Sequence, residues 1–328
     1  MRLANKLYVV GAYYNHRRSA HRPGLVRKWA KDNLDSGASV MLVQHAFGER
    51  PYEFSTDDPD FRHVTLVNIR GGAAYELWIK EALLNYGFSR LPEEAQYINW
   101  QDTDVSHVRH DWADETVHML QHNIVGQTWT HSVDLDADAN IMTDEWGVDV
   151  NRSFAKAFID GDVGPTTGSY ASPKALIPPD KKADLRSHTG WSWAIRRGGL
   201  FGGIGALPDW DIIGSADWHI ARAFAGIENG MVNFKASPGY TRRWLEFARI
   251  CDLHIKQDIG VVPGTLLAGF HGSKTKRYYV TRNEVLGESG FDPDKDIGRD
   301  AFGLPYLCSD NRKLRDGLRR YNMLREAA

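Results

Sequence analysis

The amino-acid sequence predicts an α/β protein with a central, mostly parallel, doubly wound sheet and helices on both of its faces. The first observation behind that expectation is rhythm. Short β-rich apolar runs alternate with amphipathic stretches from Leu7 to His122, as they do when crossover helices join parallel strands. The second is balance: of 328 residues, 42% are hydrophobic and 25% charged, which suits a globular chain with a substantial core and fits one elaborated domain. No internal repeat breaks this picture.

Taken in order, Leu7-Tyr-Val-Val-Gly-Ala-Tyr-Tyr14 is rich in β-formers and runs into a polar segment at Asn15, so it reads as a buried strand with a loop at its carboxyl end. A helix is expected over 25–33, a second strand over Ser39-Val-Met-Leu-Val-Gln44 and a third over Val64-Thr-Leu-Val-Asn-Ile69. Residues 74–86 read as a helix, with Leu77, Ile79, Leu83 and Leu84 among Glu76, Lys80 and Glu81. Tyr97-Ile-Asn-Trp100 is a short strand leading into Gln101-Asp102-Thr103-Asp104, and 112–122 reads as another helix. In open α/β sheets the carboxyl edge of the strands is where ligands bind, which places the two carboxylates well.

Beyond this the pattern weakens. Residues 159–187 shift to Gly, Pro, Ser and Asp and read as a long surface loop. Residues 190–195 are expected to form a Gly-rich turn, 217–225 a helix, and 311–328 a last helix with Leu314, Leu318, Tyr321 and Leu324 on one face.

Composition narrows the function classes. A net charge of −2 means that affinity for nucleic acid has to come from a local basic patch. Cys251 and Cys308 are too few for a disulfide framework, in keeping with a reducing compartment. No apolar run approaches the ~20 residues that span a bilayer, and the opening residues lack a secretory h-region, so a cytoplasmic location with no membrane partner is expected.

Asp102 and Asp104 offer two hard oxygen ligands after a strand, a pattern that holds a divalent cation against a diphosphate. The plainer reading is a loop whose carboxylates cap nearby backbone amides. The surrounding segment Leu91-Pro-Glu-Glu-Ala-Gln-Tyr97-Ile-Asn-Trp-Gln-Asp102-Thr-Asp104-Val resembles the carboxylate-motif region of GT-A glycosyltransferases. Trp78-Ile-Lys80-Glu81 with Asn85 resembles the helix that precedes it there, and Leu7 to Asn15 the family's first strand and nucleotide-contacting loop. Thr189-Gly190-Trp191-Ser-Trp193, followed by Gly202-Gly203 and Gly214-Ser215-Ala216-Asp217-Trp218, is similar to its Gly-aromatic stretch and acidic acceptor-site motif. Gly264 to Arg282 looks like the late segment in which some members place a metal-binding histidine. The likeness runs from about Leu7 to Gly303 and is nearest to bacteriophage-encoded members.

That resemblance implies a GT-A (Rossmann-like) fold and a metal-dependent transfer, of a hexosyl group by default, from a nucleotide sugar, by default a UDP-sugar, to an acceptor hydroxyl. It implies one transferase domain over 1–310, with 1–110 mainly binding the donor and 151–270 mainly facing the acceptor, and then the last helix. Asp217 would be the general base, where the plainer reading is a helix N-cap. Asp102, Asp104 and His271 would hold manganese or magnesium, although a lone His after an apolar run is more often a hydrogen-bonded core residue. Tyr14, Gln44, Lys80, Gly190, Trp191, Lys274 and Arg277 would contact the donor, the last two at the pyrophosphate. Gln44 stands where the family often has an acidic residue facing the base, which leaves the base open.

For the acceptor, two basic groups qualify: Arg17, Arg18, Arg22, Arg27 and Lys28, and Arg312, Lys313, Arg315, Arg319 and Arg320. Both read equally as solvated faces. The phage-like resemblance implies a hydroxymethylated pyrimidine in DNA as acceptor, held by Arg and aromatic residues, or else a glycan. Trp112, Trp129, Trp191, Trp193 and Trp218 could stack on a base or equally on a sugar ring and do not choose between them. A catalytically silent nucleotide-sugar binder and a metal-dependent phosphohydrolase are the competing classes. Two look-alikes are set aside: Asp134 to Glu145 resembles a calcium loop but has Ala139 where the sharp turn wants Gly, and Gly198 to Gly203 lacks the spacing and Lys of a P-loop and reads as turn.

Overall fold

A computed structural model describes residues 3–71, 77–144, 147–148, 150–164, 187–228, 235–270, 278 and 282–325. The first half contains β1 (Leu7–Tyr14), α1 (Arg22–Asp35), β2 (Ser39–Phe47), β3 (Val64–Gly71), α2 (Lys80–Phe88), β4 (Tyr97–Gln101), β5 (Val105–His107), α3 (Trp112–His122), β6 (Val125–Gln127) and β7 (His131–Asp134). A small hairpin, β8 (Thr143–Asp144) with β9 (Gly147–Val148), precedes β10 (Val150–Ser153), α4 (Phe154–Ile159), β11 (Ser187–His188), β12 (Ser192–Arg196) and α5 (Arg197–Gly199). The remainder is α6 (Ala216–Phe224), α7 (Pro238–His254), β13 (Ile259–Val261), β14 (Thr265–Ala268), α8 (Glu284–Ser289), α9 (Pro293–Asp296), the pair β15 (Ile297–Arg299) and β16 (Pro305–Leu307), and α10 (Arg312–Leu324).

The main sheet has the order β13-β6-β12-β4-β1-β2-β3. All its neighbours run parallel except β12, which lies antiparallel to both β4 and β6. The molecule is thus a mixed α/β protein with a mostly parallel central sheet. Strand alternation feeds two cores, one on each face. From β1, Val10, Ala12 and Tyr14 enter the larger core, while Leu7, Val9 and Tyr13 enter the other. Helices α2, α6, α7 and α10 cover the first face, and α1 and α3 the second. Gly11 permits the close approach of α1: a Cβ there would lie 2.7 Å from the Trp29 ring.

Several boundaries differ from expectation for identifiable reasons. Helix α1 begins at Arg22, because Pro23 in its first turn has the right φ and no amide to waste. Helix α2 begins at Lys80 rather than 74; residues 72–76 lie outside the described ones. Strand β12 replaces the expected turn at 190–195. Trp193, Ala194 and Ile195 are all buried in mid-sheet, so no alternation marks them. Helical turn, not loose turn, follows: Leu200–Ile204 is a π-helical segment after α5, closed by Gly205 at φ 76°. Leu314, Leu318 and Tyr321 of α10 are buried as expected, but Leu324, at the fraying end, is exposed.

A second sheet, β11-β10-β7-β14-β5, was not anticipated at all. Of the long loop expected at 159–187, residues 165–186 lie outside the described ones. The calcium look-alike closes as an Asx turn, Asp136 accepting from the amides of Asp138 and Asn140, with Ala139 itself at φ 62°. Among the described residues no helix is long and apolar enough to cross a membrane.

Candidate functional site

The turn after β4 carries Asp102, and the turn before β12 is stitched to it: the Asp102 amide donates to the Trp191 carbonyl at 2.7 Å. Trp191 is held at φ 74°, a left-handed conformation that costs a bulky residue of order 1–3 kcal/mol and is kept where geometry matters. Its ring stacks on His188 at 3.6 Å and tilts against Trp129 at 5.1 Å. Gly190 beside it admits Asp217, since a Cβ there would meet Asp217 Oδ2 at 2.9 Å.

Asp217 sits in the first turn of α6. The loop that delivers it is anchored by Asp211, which is fully buried and accepts from the Ile213 and Ser215 amides, the Ser215 hydroxyl and the Tyr240 hydroxyl. Gly214, at φ 84°, folds that loop against Trp78. Asp217 is not the N-cap of α6; that position is Ser215, and the Asp217 carboxylate turns instead to Lys80.

Lys80, first residue of α2, is the hub. Its ammonium lies 3.0 Å from Asp217 Oδ1, 3.2 Å from Asp102 Oδ1 and 3.5 Å from Glu81 Oε1. Burial by itself would lower Lys80, but Asp102, Asp217 and Glu81 outweigh it and hold the ammonium charged. Burial pushes the Asp102 carboxyl up to about 7, with Asp217 and Asp104 adding and Lys80 opposing. Burial likewise takes Glu81 to about 8 against the pull of Lys80.

Behind Asp102 lies a neutral network. Gln101 accepts from Asn33 at 2.9 Å and donates toward His107 and Ser192, while Asn99 donates to the Ser192 hydroxyl at 2.9 Å. Thr128 joins Ser192 at 2.6 Å and His107 Nε2 at 2.9 Å. With Nδ1 accepting from Gln101, Nε2 carries the proton toward Thr128, so His107 is the neutral tautomer.

Of the residues singled out from the sequence, Tyr14, Lys80, Asp102, Asp104, Gly190, Trp191 and Asp217 line one cavity of about 290 Å³ at the carboxyl edge of the main sheet. Gln44 is not brought there. It is buried under the Phe54 turn, donating to the Phe54 carbonyl and Asn68 and accepting from the Phe54 amide. His271, Lys274 and Arg277 lie outside the described residues. Arg27 pairs with Asp58 and Asp60, and Lys28 with Asp32, on the solvated face of α1. Trp112, Trp129 and Trp193 are core residues; only Trp191 and Trp218 of the five face the cavity. Sequence reasoning missed Trp78, His188, Asn322 and Arg325, which share the lining with Arg17 and Arg22.

No protein-family model matches this chain, and no curated protein does. Among solved structures it is similar to S. aureus TarS 1-349 in complex with UDP-GlcNAc, at 9% identity and a TM-score of 0.44, with 97% of this chain and 72% of that one covered. It is similar to the 4-diphosphocytidyl-2C-methyl-D-erythritol synthase of Anaerococcus prevotii, at 9% identity and a TM-score of 0.34 over 80% of this chain and 90% of that one. Mouse xyloside xylosyltransferase 1 in its apo form gives 11% identity and a TM-score of 0.26, covering 78% and 84%.

The described side chains do not, as arranged, make a home for the expected manganese or magnesium. Among them no three metal-ligating groups cluster, and Asp102 Oδ1 is engaged by the Lys80 ammonium. The arrangement does present a half-buried carboxylate at Asp217, delivered by a loop that Asp211 anchors and held at both oxygens by Lys80. A carboxylate so fixed beside a cavity can accept a proton from a hydroxyl that enters it.

Proposed function

We propose that this chain is a glycosyltransferase of the GT-A type that moves a sugar, by default a hexose, from a nucleotide sugar to an acceptor hydroxyl. One observation carries the reading. Asp217 and Lys80, 137 positions apart, and Asp102 meet in a single cavity at the carboxyl edge of a mostly parallel sheet, the edge at which such sheets bind ligands. In the reaction the acceptor oxygen forms a new bond to the anomeric carbon as that carbon's bond to the phosphate oxygen breaks. The electron pair leaves with the nucleoside diphosphate, and the hydroxyl proton passes to Asp217. Lys80 holds the base in place and keeps like charges in the floor from repelling it.

The finer expectations from the sequence belong to the same reading: a UDP-sugar donor, a need for manganese or magnesium, a phage-like relationship and a hydroxymethylated pyrimidine in DNA as acceptor, with a glycan as its rival. The deciding experiment incubates the purified protein with manganese, a mixture of nucleotide sugars and either hydroxymethylated or unmodified DNA, followed by mass analysis of the nucleosides. A hexose-sized gain confined to the hydroxymethylated nucleoside supports the whole reading, and omission of single donors identifies the sugar. Donor consumption only with glycans removes the DNA acceptor. Free sugar released without any acceptor makes the chain a hydrolase, unchanged turnover in excess chelator removes the metal, and no donor use at all leaves a binder.

A further inference from the structure

One wall of the cavity is built from two distant parts of the sequence. Arg17, after β1, donates through Nη2 to Asn322 Oδ1 and through Nη1 to the Arg325 carbonyl, both at 2.6 Å. Arg325, just past α10, lays its guanidinium over the Trp78 ring at 5.1 Å and donates to the Tyr321 hydroxyl at 3.2 Å. Arg22 donates to the Tyr14 carbonyl at 2.8 Å and covers the Tyr14 ring. All three are half-buried and line the same cavity as Asp217.

Their partners among the described residues are carbonyls, an amide, a hydroxyl and the His16 imidazole, all uncharged. Arg27, Arg109 and Arg299 meet carboxylates, at Asp58 and Asp60, Asp111 and Asp209. Arg70, Arg196 and Arg197 donate to carbonyls, as Arg17 and Arg22 do, but none of those three lines the cavity that holds Asp217. His16, in the midst of the cluster, reports the local field. Burial, then Arg17, Arg22, Arg325 and Arg50, push it down to about 3.

We propose that Arg17, Arg22 and Arg325 form a subsite for a diphosphate-class oxyanion. Guanidinium forks match phosphate oxygens in pairs, and three converging charges leave a single carboxylate ligand insufficient to neutralise them. The inference rests on the transferase reading for the identity of the ligand and differs from the sequence expectation, in which a cation on Asp102 and Asp104 holds the phosphates. With phosphates on the arginines, the neutral sugar and the acceptor hydroxyl fall to the Asp217 side.

The test is calorimetric binding of inorganic pyrophosphate to the full chain in the presence of chelator. The wild type binds. Arg17→Gln and Arg325→Gln each weaken binding by ~10-fold or more, as loss of a charge-assisted pair implies. Arg312→Gln, at an exposed position of α10, does not weaken it. Thermal unfolding of each variant identifies one that has failed to fold, and in that case Arg22→Lys, which keeps the charge but loses the fork, takes its place with a smaller loss. No binding without a divalent cation, or binding indifferent to the arginine variants, overturns the proposal.

Competition by UDP, GDP, ADP and CDP separates the sources. Displacement of pyrophosphate by one of them assigns the subsite to the donor. A nucleoside diphosphate that binds beside retained pyrophosphate assigns it to a phosphate on the acceptor. If pyrophosphate binds and is lost in the arginine variants while no nucleoside diphosphate binds at all, the subsite stands and the transferase reading falls.

Discussion

Gln101 and Asp102 are consecutive residues with opposite surroundings. Gln101 ends β4 and points into a buried network of Asn33, Asn99, His107, Thr128 and Ser192, in which no member is charged. Asp102 opens onto a cavity where Lys80 is shared among three carboxyl groups. The neutral side tethers β4 to β12, β5 and the residues after β6, and only Gln101 of its members borders the cavity. The charged side leans on the ammonium that its three carboxyl groups share. Rigidity behind and charge in front is how a site on a rigid element is held in geometry and kept reactive, and the two sides should respond differently to perturbation.

The largest effect is expected at the charged side. Asp217→Asn keeps the shape and the contact with Lys80 but cannot take a proton, so turnover should drop ~10²- to 10⁴-fold, read by product mass, while pyrophosphate binding persists. Turnover at the wild-type rate would remove Asp217 as the base. Next comes Lys80→Met, which leaves Asp102, Asp217 and Glu81 facing one another without a cation. Breaking a buried pair from one side costs ~3–5 kcal/mol, to be read from denaturant midpoints at neutral pH. A loss well under 1 kcal/mol would mean that the ammonium is not the hub that the distances indicate.

Much of this contrast was legible in the sequence, and the reasons for the gaps are physical. Strands β1 to β4 announce themselves through runs of apolar β-formers, and Asp102, Asp104, Asp217, Lys80, Tyr14, Gly190 and Trp191 all reach the cavity. Strand β12 was invisible because a strand buried on both faces has no alternation and because it follows Gly190. The strands β6, β7, β13 and β14 have only three or four residues, too few to show a period. Gln44 misled because a polar residue at a strand end reads as ligand-facing, whereas here the Phe54 turn folds back over it. Arg325 left no signal: at the end of a basic helix it looks like one more solvated charge, and only its contact with Arg17 turns it inward.

The neutral side should yield more modestly. Ser192 is the junction at which Asn99, Gln101 and Thr128 meet. Ser192→Ala leaves their buried polar groups short of a partner, at ~1–3 kcal/mol. Because the network does not touch the reacting groups, stability should fall while turnover of the folded fraction holds. A turnover loss as large as that of Asp217→Asn would mean that the two sides are not separate.

The smallest effect is in pH. Burial pushes His107 down to about 3, while its contact at Thr128 works weakly the other way. The unfolded chain binds a proton near 6.5 and the folded one does not, so His107 contributes its full stability above pH 6.5 and loses it progressively as pH falls toward 3. The slope approaches ~1.4 kcal/mol per pH unit well below 6.5, one proton's worth. His45 and His219, each pushed to about 4 first by burial, add slopes of the same sign. His107→Gln, which can still bond toward Thr128, should remove a slope that grows from a fraction of a proton at about pH 7 to about one proton at about pH 5 in a plot of unfolding free energy. An unchanged slope would mean that His107 is protonated in place, and the charge would then extend through β4 to both of its sides.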